Sequence, residues 1–204
     1  MKKDSRIKEK GFWKMSLNVE KLRTDFPALQ KKWNGKPLVY LDNAATSLKP
    51  VQVIEKEMEY YKEYCANIHR GMHKMSEKAS MEFEKAHEKI AKFVNAKSMQ
   101  EIVFTRNATE SFNLIMYSLL AGDYFKKGNE ILVSRMEHHA NLVPWQFLEK
   151  KIGIKLGFVE LNKDFTLNFE DLEKKVSEKT KLVSITQASN TVSSIVDVKK
   201  AGKI

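Results

Sequence analysis

The stretch that decides the fold is Glu130-Ile131-Leu132-Val133-Ser134-Arg135-Met136-Glu137-His138-His139-Ala140-Asn141-Leu142-Val143-Pro144-Trp145-Gln146-Phe147-Leu148-Glu149. It reads as a buried strand (Ile131 to Ser134), a polar turn and an amphipathic helix over Asn141 to Lys151. Two adjacent histidines stand where a strand of an α/β sheet delivers side chains to a ligand crevice. Taken alone, a histidine pair in a turn is either idle loop or ligand-facing chemistry. The flanking segments have to decide between the two.

Outward from this unit the pattern repeats. Strand Glu101 to Thr105 leads to a helix over Thr109 to Leu120, strand Lys155 to Leu161 to a helix over Phe169 to Val176, and strand Lys181 to Thr186 closes the run. Strands alternating with helices of about 10–15 residues predict an α/β fold with a mainly parallel sheet and helical crossovers. Upstream, Val19 to Phe26 has helical spacing and is stopped by Pro27. Pro37 to Leu41 reads as a short strand, and Asp42-Asn43-Ala44-Ala45-Thr46-Ser47 as a turn of small residues that lets backbone approach a ligand. Val51 to Tyr64 is a predicted helix with Val51, Ile54, Met58, Tyr61 and Cys65 on one apolar face. A second predicted helix, Ser76 to Val94, buries Ala79, Phe83, Ala86, Ile90 and Phe93. Between them lies the polar loop Asn67-Ile68-His69-Arg70-Gly71-Met72-His73.

Composition narrows the class. The chain has 204 residues, 42% hydrophobic and 30% charged, as in a folded globular protein. No apolar run approaches the roughly 20 residues that cross a bilayer, and the basic N-terminus lacks the apolar core of a secretory signal. The single cysteine, Cys65, cannot form an internal disulfide, which fits a reducing, cytoplasmic setting. The formal charge is +10, but residues 1–14 carry a good part of it, and elsewhere lysines alternate with glutamates as on solvated helix faces. No basic strip with interleaved aromatics is present, so nucleic acid is not an expected partner. Residues 1–20 read as an N-terminal extension that Phe12 and Trp13 could pin to the body, 21–45 as a lead-in, and 46–204 as the α/β body, which the resemblance given below implies is the first half of a larger cofactor-binding domain.

Three groups of residues carry the chemistry. The turn Thr105-Arg106-Asn107-Ala108-Thr109-Glu110 joins a strand to a helix, so the N–H groups of Ala108, Thr109 and Glu110 and the helix dipole suit a phosphate. Asn107 could take a left-handed conformation there, and the plainer alternative is that Thr109 only caps its helix. His138 would stand beside this cup if the two strands are neighbours, with a flat ring able to stack on a heteroaromatic. His69, Arg70 and His73 come from a loop that could fold over the crevice, where Arg70 suits a carboxylate or phosphate. A metal site from His69, His73, His138 and His139 is disfavoured, because the HExxH glutamate is missing and adjacent histidines rarely reach one ion. No GxSxG elbow supports a serine nucleophile.

With these segments placed, the chain resembles the cysteine desulfurases of the selenocysteine-lyase group, class V aminotransferases of the pyridoxal-phosphate fold type I. The resemblance rests on Tyr40-Leu41-Asp42-Asn43-Ala44-Ala45-Thr46-Ser47, Asn67-Ile68-His69-Arg70-Gly71, Asn107-Ala108-Thr109-Glu110, Glu137-His138-His139-Ala140-Asn141 with Pro144-Trp145, and Ser189-Asn190, in matching order and spacing. It implies pyridoxal 5'-phosphate as cofactor, with Ala108 and Thr109 at its phosphate, His138 stacked on its ring and Asn190 near its phenolic oxygen. Ala44, Ala45, His69 and Arg70 match the substrate side. The implied reaction turns L-cysteine (or selenocysteine) into L-alanine and an enzyme persulfide that feeds iron–sulfur cluster assembly through an acceptor protein, in a homodimer.

The departures are as informative. The family's cofactor-binding lysine, ring-nitrogen aspartate, sulfur-accepting cysteine and carboxylate arginine have no counterpart before Ile204, so no catalytic residue is expected in this chain and Cys65 is not the sulfur acceptor. Gln187 stands where the group has histidine, and Ser193-Ser194 where a glycine follows the asparagine. The expectation is an N-terminal half that needs a complementary chain, the alternative being a non-catalytic remnant that binds the cofactor or a partner. The apolar strand Leu182 to Ile185 points the same way, since nothing after it covers its edge.

Overall fold

A computed structural model describes residues 17–204, so the expectation for the N-terminal extension lies mostly outside the described residues. The described residues divide into two compact units, one ending at Ile102 and one running from Val103 to Ile204.

In the first unit, Asn18 caps helix α1 (Val19–Thr24) by accepting from the Lys21 N–H, and Pro27 opens a single 3-10 turn, Pro27–Gln30. Strands β1 (Lys32–Trp33) and β2 (Lys36–Pro37) form a two-residue hairpin. Asn34 and Gly35 both have positive φ, 51° and 75°, the geometry an Asn-Gly hairpin turn supplies. The strand expected over Pro37 to Leu41 is therefore corrected: only Pro37 pairs, because β1 offers two residues and no further partner. Helix α2 (Val51–Glu59) does not stop but widens into a π-helical turn, Tyr60–Tyr64. Helix α3 (Lys74–Val94) starts two residues earlier than expected, because the His73 ring accepts from the Ser76 N–H and caps it. It ends on left-handed Asn95.

The predicted apolar faces of α2 and α3 are present but only partly covered. Ala79 is buried, whereas Ile54, Met58, Tyr61, Phe83, Ile90 and Phe93 are exposed, and so is Cys65. The thiol thus does not close the apolar face as its spacing suggested; the π turn carries it outward. Packing here centres on buried Tyr64. The Lys56 and Lys78 ammoniums lie 5.4 and 4.6 Å from its ring centroid, and Lys56 bridges to Glu82 at 2.9 Å.

The second unit holds the parallel sheet. Its helices are α4 (Ala108–Ala121), α5 (Val143–Ile152), α6 (Phe169–Lys175) and the short α7 (Val198–Ala201); its strands are β3 (Glu130–Ser134), β4 (Lys155–Val159) and β5 (Thr180–Ser184). The strand order is β4-β3-β5, all parallel. β3 lies in the middle because its side chains are apolar on both faces. Ile131 and Val133 pack with Met116, Phe125, Trp145, Leu148 and Ile154 on one side. Leu132 packs with Val159, Leu167, Leu172 and Val196 on the other. Burying an aliphatic side chain contributes about 1.5–3 kcal/mol, so these two clusters hold the unit together.

One expected strand is absent. Ile102 to Thr105 belongs to no strand, and Val103 and Phe104 are exposed. Apolar alternation gives a segment strand propensity, but only pairing with a neighbour makes it a strand, and this segment is not among the strands of the sheet.

Candidate functional site

The site follows from the strand order. After β3 the chain turns to α5 on one face of the sheet, and after β5 it turns toward Val196 and Ala201 on the other. Between β3 and β5 the connections therefore diverge, and in open α/β sheets ligands bind outside the carboxyl ends of the strands at such a point. The loop bearing His138 and the loop bearing Asn190 both start there.

His138 is exposed, and its Nδ1 accepts from the Ala140 N–H at 3.1 Å, capping a 3-10 turn over His139–Asn141. An accepting Nδ1 places the ring hydrogen on Nε2 and fixes the ring relative to the turn. His139 is exposed too, its ring centroid 6.4 Å from that of His138. It makes no comparable cap.

Beneath this turn lies a polar network that sequence reading missed. The Ser134 hydroxyl donates to Glu137 Oε1 at 2.5 Å, and the Thr186 N–H donates to the same oxygen at 2.8 Å. Asn141 Nδ2 donates to Glu137 Oε2 at 2.7 Å. Asn141 Oδ1 in turn accepts from Trp145 Nε1 at 2.9 Å and from the Ser184 hydroxyl at 2.6 Å. Asn141 and Trp145 are buried. The spacing 137, 141, 145 was the available signal, since residues four apart share a helical face.

The α4 N-terminus packs into the same unit by a different route from the one expected. Its preceding segment is not a sheet neighbour of β3; instead α4 packs on α5 and on the His139–Asn141 turn, with Phe112 edge-on to Trp145. Asn107 is extended rather than left-handed, and it, not Thr109, caps the helix by accepting from the Glu110 N–H at 2.9 Å. This corrects the three-donor cup: Glu110 is used up. Ala108 and Thr109 keep N–H groups with no acceptor among the described residues. The Glu110 carboxylate accepts from the Arg106 backbone N–H at 2.6 Å and from its guanidinium at 3.3 Å, and these bonds hold its pKa below the usual carboxylate value.

Asn190 is exposed and its amide bonds to no described residue. It sits in a tight loop closed by the Ser189 N–H to the Ser194 carbonyl at 2.9 Å and the Val196 N–H to the Gln187 carbonyl at 2.8 Å. Ser193 is left-handed there, φ 56°. The Ser194 hydroxyl is buried without a hydrogen-bond partner.

The substrate-side residues named from the sequence lie in the first unit. Ala44 and Ala45 form a turn in which the Ala45 and Thr46 N–H groups both donate to the Asp42 carbonyl. His69 is left-handed, φ 63°, its N–H donating to Ser80 Oγ at 2.8 Å and its ring edge-on to Phe83. Arg70 is exposed and has no carboxylate partner among the described residues. Ser76 Oγ ties the loop by donating to the Asn67 carbonyl and accepting from the Gly71 N–H. There, a Cβ on Gly71 would lie 2.5 Å from the serine side chain. Among the described residues no cluster of His, Cys, Asp or Glu has metal-binding geometry, and no helix is long and apolar enough to cross a membrane.

The parallel sheet and its helices define an α/β unit, and comparison with known proteins gives its kind. Residues 39–204 match the model of the class-V aminotransferases, and the chain belongs to that family. It is 50% identical over 171 residues to a probable cysteine desulfurase of Synechocystis sp., covering 84% of this chain and 40% of the relative. It is 45% identical over 178 residues to a cysteine desulfurase of Enterobacter sp., covering 87% and 44%. Among solved structures, the apo cysteine desulfurase from Thermococcus onnurineus superposes with a TM-score of 0.82 at 41% identity, covering 90% of this chain and 44% of that one. A cysteine desulfurase from Escherichia coli gives 0.77 at 34%, covering 91% and 45%. The chain thus spans less than half the length of these relatives.

Proposed function

We propose that this chain forms the part of a pyridoxal-phosphate-dependent cysteine desulfurase that receives the cofactor's phosphate and one face of its ring, and that it works with a polypeptide supplying the remainder. The observation that carries this reading is the pairing, in one unit, of two unpartnered N–H groups at the start of α4 with an exposed imidazole held in a capped turn. Relatives of this family are pyridoxal-phosphate enzymes, and the residues present suit that group.

In this reading the Ala108 and Thr109 N–H groups and the α4 dipole hold the phosphate. The His138 ring forms the shelf beneath the pyridine. Asn190, its amide uncommitted, donates toward the phenolic oxygen. On the substrate side, Arg70 offers a fork for a carboxylate, and Ala44, Ala45 and His69 are assigned to the same side by the family resemblance. When bound, pyridoxal phosphate supplies an electron sink that lets the Cβ–S bond of L-cysteine break. The sulfur passes to a thiolate as a persulfide and the carbon skeleton leaves as L-alanine. The lysine, the acceptor thiol and the aspartate at the ring nitrogen come from the complementary polypeptide. A homodimeric assembly and delivery of sulfur to an acceptor protein belong to the same proposal.

The test is an absorbance titration with pyridoxal phosphate, with and without a polypeptide corresponding to the other half of the relatives. The chain alone is expected to give no alanine from L-cysteine, and the mixture to show the band of lysine-bound cofactor and turnover. Alanine production by the chain alone, or a His138→Ala mixture that retains cofactor as tightly as the parent, overturns the reading.

A further inference from the structure

Glu137 is polar, half-buried and unused by the mechanism above, yet it gathers more hydrogen bonds than any residue that faces the crevice. Its carboxylate accepts from the Ser134 hydroxyl at the end of β3, from the Thr186 N–H just beyond β5, and from Asn141 on the turn that follows His138. We propose that Glu137 is the positioning residue for the cofactor crevice: one carboxylate clamps the His138 turn to the root of the Asn190 loop. The proposal rests on the reading of His138 as the ring shelf.

The donor pattern shows why a carboxylate is required. Thr186 offers a backbone N–H, which can only donate. Asn141 cannot flip its amide, because its Oδ1 already accepts from Trp145 Nε1 and Ser184 Oγ; its Nδ2 must therefore face Glu137. Two fixed donors thus approach opposite oxygens of one side chain, and only a group that accepts at both ends satisfies them. Glutamine cannot. If its oxygen meets Thr186, its NH2 faces the Asn141 NH2, and if it flips, the NH2 faces the Thr186 N–H.

The clamp also explains how an exposed ring stays oriented. The His138 ring is hydrogen-bonded, among the described residues, only to the Ala140 N–H two residues on, which orients the ring relative to its own turn. The turn is held to the sheet by its neighbours: Glu137 before the ring and Asn141 after it. On the far side, Thr186 starts the loop in which the Gln187 carbonyl accepts from Val196 and the Ser194 carbonyl from Ser189. The shelf and the Asn190 loop therefore share one anchor, across the divergence of β3 and β5.

The pattern makes a compensating pair available. In Glu137→Gln the amide meets one donor head-on, and in Asn141→Asp two carboxylates face each other. In the double variant Glu137→Gln/Asn141→Asp, the oxygen of the introduced amide accepts from Thr186 and its NH2 donates to the introduced carboxylate, whose other oxygen keeps Trp145 and Ser184. The test uses the whole chain with nitrogen-15-labelled histidine and follows the His138 ring nitrogens, with amide exchange at Thr186. The parent is expected to show a single tautomer with Nδ1 as acceptor. In Glu137→Gln the two nitrogen shifts move toward averaging, and Thr186 protection falls about tenfold or more, the factor that accompanies loss of a hydrogen bond to a charged group. The double variant recovers both. If Glu137→Gln does not fold, recovery of the fold and of the His138 signature in the double variant decides for the clamp, and failure to recover decides against it. An unchanged His138 signature in a folded Glu137→Gln overturns the proposal. None of these readouts needs the cofactor, so they separate the clamp from the cofactor reading, which stands or falls on His138→Ala.

Discussion

The loop after β5 carries two defects that mutation should relieve. Ser193 holds φ 56°, a left-handed conformation that glycine adopts without strain. A non-glycine residue in the left-handed region costs about 1–2 kcal/mol, while glycine gives back about 0.5–1 kcal/mol through its freer unfolded chain. Ser193→Gly should therefore stabilise the closed loop by about 0.5–1 kcal/mol. Ser194 buries a hydroxyl with no partner, a defect of about 1–3 kcal/mol that Ser194→Ala removes. With two compact units a global melt mixes transitions, so the assay is amide exchange at the two bonds that close the loop, from Ser189 and Val196. Protection should rise about two- to fivefold in Ser193→Gly, and about fivefold or more in Ser194→Ala. A fall in protection in Ser193→Gly would mean that the serine side chain stabilises the loop more than its backbone conformation strains it, and the strain account would fail.

Trp145→Phe keeps an aromatic ring against Phe112, Ile131 and Leu148 but strips the Nε1 donor from Asn141; a cost of about 1–3 kcal/mol is expected in urea unfolding followed by far-UV circular dichroism. Glu82 has its pKa lowered to about 2, first by hydrogen bonding to Lys56 and then to Lys85. Since the folded value lies below the unfolded one, its stabilising contribution is complete above about pH 4.5 and disappears as pH falls through 2. Helicity of the first unit should fall over that window in the parent and less steeply in Glu82→Gln, with salt weakening the difference. Cys65, being exposed, should react stoichiometrically with a thiol reagent without denaturant; a thiol that labels only on unfolding would contradict its exposed placement just after the π turn.

How much of this was legible depended on whether a residue's partner lay nearby in sequence. β3, β4, β5 and the helices between them could be read from apolar runs and their spacing, because each run pairs with its neighbour in the sheet, although only β3 is buried along nearly its whole length. Ile102 to Thr105 has the same apolar character and is not a strand, for a strand also needs a neighbour to pair with. The faces of α2 and α3 were visible as spacing, but periodicity tells which side is apolar and not whether anything covers it; Phe93 at 85% exposure marks the difference. At the site, His138 stood out by residue type. Asn107 was legible as a turn residue but wrongly assigned its conformation, since extended and left-handed asparagines look alike in a sequence. Glu137 was hidden for another reason. A glutamate in a polar turn reads as solvated, and its donors, Ser134 and Thr186, lie three residues before it and 49 after it.

The central position of β3 also bears on how the chain is made. Both of its hydrogen-bonding partners are encoded after it, β4 ending at Val159 and β5 at Ser184. During synthesis Ile131, Leu132 and Val133 leave the ribosome with neither edge paired and, of the buried residues that cover them, only Met116 and Phe125 already made. The second edge is not available until about 50 further residues have been added, roughly three to ten seconds at ordinary elongation rates. Slowing translation between β4 and β5, or withholding chaperones, should therefore reduce the yield of folded protein more than the same treatment applied after Ser184. The residues that build the crevice floor are thus the ones exposed longest to misassociation on the way to it.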